Sequence, residues 1–139
     1  MIAKRSFLKR LMISSASVIG IGNFAKASSS PTAKQKHGDF IHVVYFWFNE
    51  PDNESQQKAF IKNTKEFLKK IDVIVSYYIG VPANTPRDVV DNSYTFSLLV
   101  TFKNKEDQDI YQEHEAHKKY VADTASLWKK VQVYDSLKV

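Results

Sequence analysis

The sequence predicts an α+β fold in which a four-stranded antiparallel sheet packs against two helices. Four short runs of β-branched and aromatic residues have the length and composition of strands. Two longer segments carry apolar residues every three or four positions, as amphipathic helices do. Hydrophobic residues make up 43% of the 139 residues, which is enough for the core of one domain.

The first strand is predicted over Phe40–Phe48, a dense run of β-branched and aromatic residues that suits a strand buried on both faces. Turn residues follow it, and Asn53 or Ser55 is a candidate cap for the next helix. In that helix the core-facing residues are separated by lysines and a glutamate that are expected to face water. The core-facing residues are Phe60, Ile61, Thr64, Phe67, Leu68 and Ile71.

The second half of the domain contains two strands, a helical segment and a last strand. The strands are predicted over Val73–Val81 and Ser93–Phe102, and the loop between them contains two prolines. These two strands either form a long-armed hairpin or pair with other neighbours. Asn104 is a candidate cap for a helical segment from Lys105 to about Leu127, and the last strand covers Val131–Asp135.

The resulting order, β-α-β-β-α-β, is that of a ferredoxin-like sheet with both helices on one face. The first strand is nevertheless apolar on both of its faces. Val43, Tyr45 and Trp47 lie on one face, and His42, Val44, Phe46 and Phe48 on the other. A monomer would therefore expose a large apolar sheet face, so we expect a homodimer in which two sheets pack through their open faces.

The net charge of +5 does not indicate a nucleic-acid partner. Residues 1–27 contain five of the 20 basic residues and no acidic residue, which leaves 15 basic and 15 acidic residues in 28–139. No basic stripe with interleaved aromatic residues is present, so we expect no nucleic-acid binding. The absence of cysteine excludes disulfides, thiolate metal sites and a cysteine nucleophile.

Residues 1–27 have the layout of an export signal peptide. The basic start Lys4-Arg5-Ser6-Phe7-Leu8-Lys9 resembles a twin-arginine signal with Lys in place of the first Arg, so the twin-arginine and general secretory routes both stay open. Ala25-Lys26-Ala27 fits a small-x-small cleavage site. The preceding apolar run, about 15 residues, is shorter than the roughly 20 that span a bilayer, so we expect no membrane anchor after cleavage.

These patterns predict three parts of the chain: an export signal over 1–27, a flexible polar leader over 28–38, and one folded domain over 39–136. The expected location is the periplasm of a bacterium or the medium outside the cell. Nicotinamides and other cofactors that stay in the cytoplasm become less plausible partners there.

One stretch, Tyr111-Gln-Glu-His114-Glu-Ala-His117-Lys-Lys-Tyr120, holds two of the four histidines and two tyrosines. Imidazole and phenol groups transfer protons, bind metals or bind polar ligands near neutral pH. In one continuous helix Tyr111 and His117 would point about 120° apart, and a break near His114 would bring them together. His42 of the first strand can reach the same cleft between sheet and helices.

Three interpretations of this stretch stay open. In the first, His117 is a general base and Tyr111 donates to a developing oxyanion. In the second, His114 and His117 only fasten the helix to the sheet by hydrogen bonds, and the tyrosines pack in the core. The third is a metal site built from His114, His117 and a carboxylate of Glu113 or Glu115. The pair lacks a strong third ligand, and the sequence has no Walker, Rossmann or serine-triad motif, so we expect no metal or other cofactor.

Short motifs, taken in their order and spacing, resemble the stress-responsive α/β-barrel (Dabb) family over about residues 39–136. They are Ile41-His42-Val43-Val44, Val89-Val90-Asp91-Asn92-Ser93-Tyr94, Phe102 at a strand end, Tyr111-x-x-His114-x-x-His117, and Trp128-x-x-Val131-x-Val133-Tyr134-Asp135. The resemblance implies ferredoxin-like subunits that pair into a dimeric α/β barrel. Family members often have Pro directly after the first of the paired histidines, where this chain has Glu115.

What the resemblance implies for function is less uniform. Most bacterial members have no established activity, and some plant members are linked to stress tolerance. One plant branch is a polyketide cyclase, in which a histidine and a tyrosine corresponding to His117 and Tyr111 promote an aldol-type ring closure.

The sequence thus predicts an exported dimer that binds a small hydrophobic or aromatic ligand or acts in a stress response. The alternative is a cofactor-independent cyclase or lyase acting on polyketide-like or aromatic carbonyl compounds. The candidate catalytic residues are His117, Tyr111 and His42. The candidate ligand-binding residues are His114, Trp47 and Tyr78.

Overall fold

The structure of the chain, a computed structural model, describes residues 37–139. The predicted export signal and nearly all of the predicted leader lie outside these residues. The elements are, in order, β1 (Phe40–Phe48), α1 (Glu54–Leu68), β2 (Ile74–Gly80), β3 (Phe96–Phe102), α2 (Lys105–Glu113), α3 (Glu115–Thr124), a short 3-10 turn (Ala125–Leu127) and β4 (Trp128–Leu137). The predicted α+β fold is confirmed, and the second helical segment is divided into two helices.

The sheet is antiparallel, with the strand order β2-β3-β1-β4. Strands β2 and β3 pair directly, so the long loop between them closes a hairpin. Strand β1 pairs with β3 on one side and with β4 on the other. Strand β4 exceeds its predicted bounds because it pairs with β1 along the whole length of β1, from Phe40 to Phe48.

Asparagine side chains begin two of the helices. The side-chain oxygen of Asn53 accepts the backbone N–H of Gln56 at 3.1 Å and starts α1. Asn104 accepts the N–H of Asp107 at 2.9 Å and starts α2. Each asparagine satisfies one of the N–H groups that a helix start leaves without an intrahelical partner. Asn53, rather than Ser55, is therefore the cap of α1.

The core lies between the helices and one face of the sheet. Phe60 of α1 is fully buried, and its ring lies 5.0–5.1 Å from the rings of Phe46, Phe48 and Phe96. Thr64, one turn later, is also buried, and its hydroxyl lies 3.0 Å from that of Tyr120 on α3. These contacts hold α1 against the sheet and join α1 to α3.

Burial alternates along β1. His42, Val44 and the other even-numbered residues face the helices and are buried, whereas the odd-numbered residues are only half-buried in the single subunit. The expected burial of β1 on both faces therefore requires something to cover the second face. We call this second side of the sheet the open face. Between residues 37 and 139, no helix combines the length and apolar character that a membrane crossing requires.

Candidate active site

The helical segment after β3 is interrupted at His114, which has extended backbone angles (φ −64°, ψ 134°). The ring Nδ1 of His114 accepts the backbone N–H of Ala116 at 3.0 Å and so caps the start of α3. The carbonyl oxygen of His114 accepts the N–H of His117 at 2.9 Å, which closes the first turn of α3. His114 thus ends one helix and begins the next.

This interruption brings Tyr111 and His117 together. On one straight helix, residues six positions apart would be separated by about 9 Å along the axis. In the structure the centroids of the two rings are 4.4 Å apart. The side chains of the two residues are therefore direct neighbours.

The tautomer of His117 follows from its hydrogen bond. Its Nδ1 lies 3.2 Å from the backbone carbonyl oxygen of Gln112, and because a carbonyl only accepts, Nδ1 carries the hydrogen. The lone pair of neutral His117 is then on Nε2. Burial lowers the pKa of His117, while the hydrogen bond to Gln112 opposes this shift. The nearby imidazoles of His42 and His114 act in the same direction as burial.

His42 is held in a similar way by a carboxylate. Its Nδ1 lies 2.6 Å from Oδ1 of Asp135, which is the residue directly opposite His42 in the pairing of β1 with β4. Only 5% of His42 is exposed, whereas the Asp135 side chain is 44% exposed. The carboxylate accepts the Nδ1 hydrogen, so Nε2 of neutral His42 also carries a lone pair.

Tyr111 completes the group. It is 1% exposed, its ring contacts His42 edge to face with centroids 5.7 Å apart, and burial raises the pKa of its hydroxyl. The phenol therefore stays protonated. Tyr111 lines a pocket beside these rings.

This pocket has a volume of about 310 Å³ and lies between the helix-facing side of β1 and β4 and the helices α2 and α3. His42, Tyr111 and His117 all line it. Its walls are apolar and include Val44, Leu98, Val121, Trp128, Val131 and Val133. No lysine, arginine or carboxylate is among its lining residues within 37–139. Apolar walls with a few convergent polar groups are typical of a site for a small molecule.

The structure separates the other three candidates from this pocket. The ring of His114 is engaged with the backbone of α3. Trp47 projects from the open face, where its indole N–H donates to Ser93 Oγ at 2.9 Å. Tyr78 of β2 is 67% exposed and is paired with Leu99, also on the open face. The six predicted residues therefore do not form one cluster, and ligand binding by these three stays a prediction.

Two functional groups were not identified from the sequence. Gln112 acts through its backbone carbonyl, which its residue type does not reveal. In the sequence Asp135 stands out only as part of the terminal motif, because its contact with His42 depends on the register of β4 against β1. The strand order alone would place β4 beside β1, but no tight turn joins the two strands and fixes their register.

The described part of the chain contains no cluster of three potential metal ligands. Between residues 37 and 139, no three His, Asp or Glu side chains are close enough together to hold a metal ion. The Nδ1 of His114, one of the two imidazoles of the His-x-x-His pattern, is used as a helix cap.

Comparison with known sequences identifies one family. Residues 40–137 match the Stress Responsive A/B Barrel Domain, abbreviated Dabb. Among curated proteins, no sequence matches this chain.

Solved structures share the fold at low sequence identity. A Dabb protein with a ferredoxin-like fold from Mesorhizobium loti is 20% identical, with a TM-score of 0.61 over 72% of this chain and 96% of that one. A dimeric ferredoxin-like protein of unknown function from Thermobifida fusca is 16% identical, with a TM-score of 0.60 over 70% and 89%. A hydroxynitrile lyase from Passiflora edulis is 10% identical, with a TM-score of 0.65 over 75% and 96%. At these identities the likeness shows the fold alone.

We predict that His117 titrates below the ordinary histidine pKa of about 6.5, because burial disfavours its charged form. The unfolded chain then binds more protons than the folded chain between the two pKa values. The free energy of unfolding that His117 contributes is therefore present above the ordinary pKa and is lost as the pH falls through the folded pKa.

NMR titration of the imidazole carbons measures the folded pKa, and denaturant unfolding at several pH values measures the stability. The variant His117→Gln should show a weaker dependence of stability on pH in this range. A His117 pKa at or above about 6.5 would contradict the burial argument.

Proposed function

This chain belongs to the stress responsive A/B barrel domain family, and we propose that its pocket binds a small, neutral, hydrophobic carbonyl compound. We further propose that the site catalyses a cofactor-independent proton transfer of the lyase or cyclase type. The observation that carries the proposal is the convergence of Tyr111 and His117, with rings 4.4 Å apart, on one apolar pocket. A general base and a hydrogen-bond donor must both reach the reacting group for such chemistry.

The size and polarity of the pocket define the ligand class. Its volume, about 310 Å³, is about twice that of a 150 Å³ apolar protein cavity that accepts benzene. A single aromatic ring with a short side chain fits this volume. Because no lysine or arginine among residues 37–139 lines the pocket, a carboxylate or phosphate on the ligand would lose its hydration without gaining an ion pair.

The proposed reaction begins at a carbon next to the carbonyl group. The lone pair on Nε2 of His117 takes a proton from this carbon, and the electron pair of the C–H bond moves toward the carbonyl oxygen. The hydroxyl of Tyr111 donates a hydrogen bond to the oxygen as its negative charge develops. The raised pKa of Tyr111 suits this role, because the phenol keeps its hydrogen while His117 carries the transferred proton.

His42 and Asp135 supply a second group able to carry a proton. The carboxylate of Asp135 accepts the Nδ1 hydrogen of His42 and so holds the tautomer in which Nε2 carries the lone pair. In an aldol-type cyclase or a lyase that breaks a C–C bond, the oxygen attached to the reacting carbon must gain or lose a proton. His42 lines the same pocket and is our candidate for this exchange. The hydroxynitrile lyase of Passiflora edulis has the same fold, so this scaffold is compatible with lyase chemistry.

A second candidate function is binding of the same ligand without turnover. The apolar walls of the pocket support it directly, since binding needs the walls but not the base. The Thermobifida fusca structure with this fold is described as a protein of unknown function. The two candidates differ only in whether His117 and Tyr111 change the bound molecule.

We also propose that two copies pair through their open faces. Tyr78, Leu99, Val43 and Tyr134 form one row across all four strands on this face. Tyr78 and Tyr134 are 67% and 60% exposed in the single subunit. Burial of such a row would stabilise a dimer, and solved structures with this fold are described as dimeric.

We predict that a neutral aromatic ketone such as phenylacetone raises the melting temperature of the protein. Ligand at about 100 times its dissociation constant stabilises a folded state by about 2.7 kcal/mol, which corresponds to a rise of several degrees. Val133→Phe should abolish the shift by filling the pocket. Val75→Phe is the matched control, because Val75 and Val133 are strand residues that are 41% and 40% exposed. Equal shifts in the two variants would place the ligand elsewhere.

We predict that Val43→Glu converts the dimer to a monomer, because it places a charge in the centre of the apolar row. Sedimentation velocity at micromolar concentration measures the change. Ile110→Glu introduces the same charge at an exposed position on α2, and it should leave the dimer intact. A wild-type protein that sediments as a monomer would remove the support for pairing through the open face.

A further inference from the structure

At His114, the joint between α2 and α3, two imidazole hydrogen bonds take the place of the backbone hydrogen bond between Ala116 and Gln112. In a continuous helix the N–H of Ala116 would bond to the carbonyl of Gln112, four residues earlier. Here the N–H of Ala116 bonds to Nδ1 of His114 at 3.0 Å. The carbonyl of Gln112 lies 3.2 Å from Nδ1 of His117, which donates to it. Both partners of the missing helix bond are therefore satisfied, each by a different histidine.

We propose that His114 is a positioning residue for His117. By accepting the N–H of Ala116, His114 keeps the Gln112 carbonyl available for His117. The inference rests on the proposed role of His117 as the base, but it concerns the orientation and tautomer of the ring, which can be measured without any substrate.

The N–H of Ala116 and the Nδ1–H of His117 compete for a single acceptor, the carbonyl of Gln112. Without the imidazole of His114, the N–H of Ala116 lacks its cap and regains its partner most directly at the Gln112 carbonyl, as the helix becomes continuous. The Nδ1–H of His117 then loses its acceptor. Neutral imidazole exists as two tautomers, and the hydrogen bond made by one nitrogen decides which is present. Only the Nδ1–H tautomer leaves a lone pair on Nε2.

Other contacts at the joint do not replace this imidazole. The ammonium of Lys118 lies 3.0 Å from Glu113 and 3.7 Å from Glu115, and so spans the two helices. All three side chains are at least half exposed, and exposed ion pairs of this kind stabilise a fold little. Glu115 is compatible with the first turn of a helix but does not force a helix to begin there.

Four variants distinguish the effect of losing the acceptor at residue 114 from the effect of losing the helix break there. His114→Ala removes the acceptor, and His114→Phe removes it while keeping the bulk of the ring. His114→Asn restores an acceptor, because asparagine is among the best helix caps. His114→Ala combined with Glu115→Pro lacks the acceptor but keeps residue 114 extended, since a residue before proline is disfavoured in the helical region.

The decisive measurement is the ¹⁵N NMR spectrum of the His117 ring at about pH 8, where a histidine with an ordinary pKa of about 6.5 is neutral. We expect the Nδ1–H tautomer in the wild type, in His114→Asn and in the His114→Ala, Glu115→Pro protein. We expect mixed tautomers in His114→Ala and in His114→Phe. A wild-type spectrum of His117 in either of these two would overturn the proposal, and either variant suffices if the other does not fold.

A rate measurement adds a second test. In His114→Phe the rate constant for proton removal from a bound ketone should fall by about 10- to 100-fold, as when a group that orients a metal-binding histidine is removed. The ketone concentration that half-saturates the protein should change little, because His114 does not line the pocket. A higher half-saturating ketone concentration with an unchanged rate constant would overturn the positioning role. If the wild type transfers no proton, the proposed function fails, and the NMR result still decides the role of His114.

Discussion

The candidate site depends on one hydrogen bond that the second helical segment does not make. Had the N–H of Ala116 bonded to the carbonyl of Gln112, a single helix would have carried Tyr111 and His117 apart. Because His114 takes the N–H, the chain turns, and the two rings meet at the pocket. The same exchange supplies the acceptor that orients His117. A local capping interaction thus determines both the position and the protonation pattern of the proposed base.

Strand pairing in the sheet positions the hydrogen-bond acceptor of His42. Antiparallel pairing of β1 with β4 places Asp135 directly opposite His42 on the helix-facing side. Each histidine of the pocket therefore gives its Nδ1 hydrogen to an oxygen of the protein and directs Nε2 elsewhere. Tyr111 contacts both rings, and its buried phenol resists ionisation. Two acceptors and one permanent donor around an apolar volume make an arrangement suited to moving protons on a carbonyl compound.

The features that sequence patterns predicted well are local ones. The bounds of β1 and the caps Asn53 and Asn104 follow from short stretches of residues. The alternation of β1 also predicted that His42 shares a face with Val44, and that Trp47 points to the other face. By this alternation, Trp47 and His42 lie on opposite faces of the sheet. The sequence allows a break at His114 but does not require it, because Glu115 suits either a helix start or a helix interior.

The features that the sequence did not provide are those that depend on the register of distant segments. The partner of His42 lies 93 residues away on a strand of largely exposed residues, and no residue pattern in β4 selects Asp135 over its neighbours. The role of the Gln112 carbonyl is equally absent from the sequence pattern, since every residue carries a backbone carbonyl. These contacts required the assembled sheet and the observed joint between α2 and α3.

The central claim is that His117 removes a proton from a carbon beside a carbonyl group while Tyr111 stabilises the oxygen. Deuterium exchange into the α-position of phenylacetone in D₂O, followed by NMR, measures this step directly. We expect exchange faster than in buffer, with a loss of about 10²- to 10⁴-fold in His117→Ala. Removal of the donor in Tyr111→Phe should cost about 10²- to 10³-fold. Exchange at the buffer rate, or enhanced exchange that survives in His117→Ala, would contradict it.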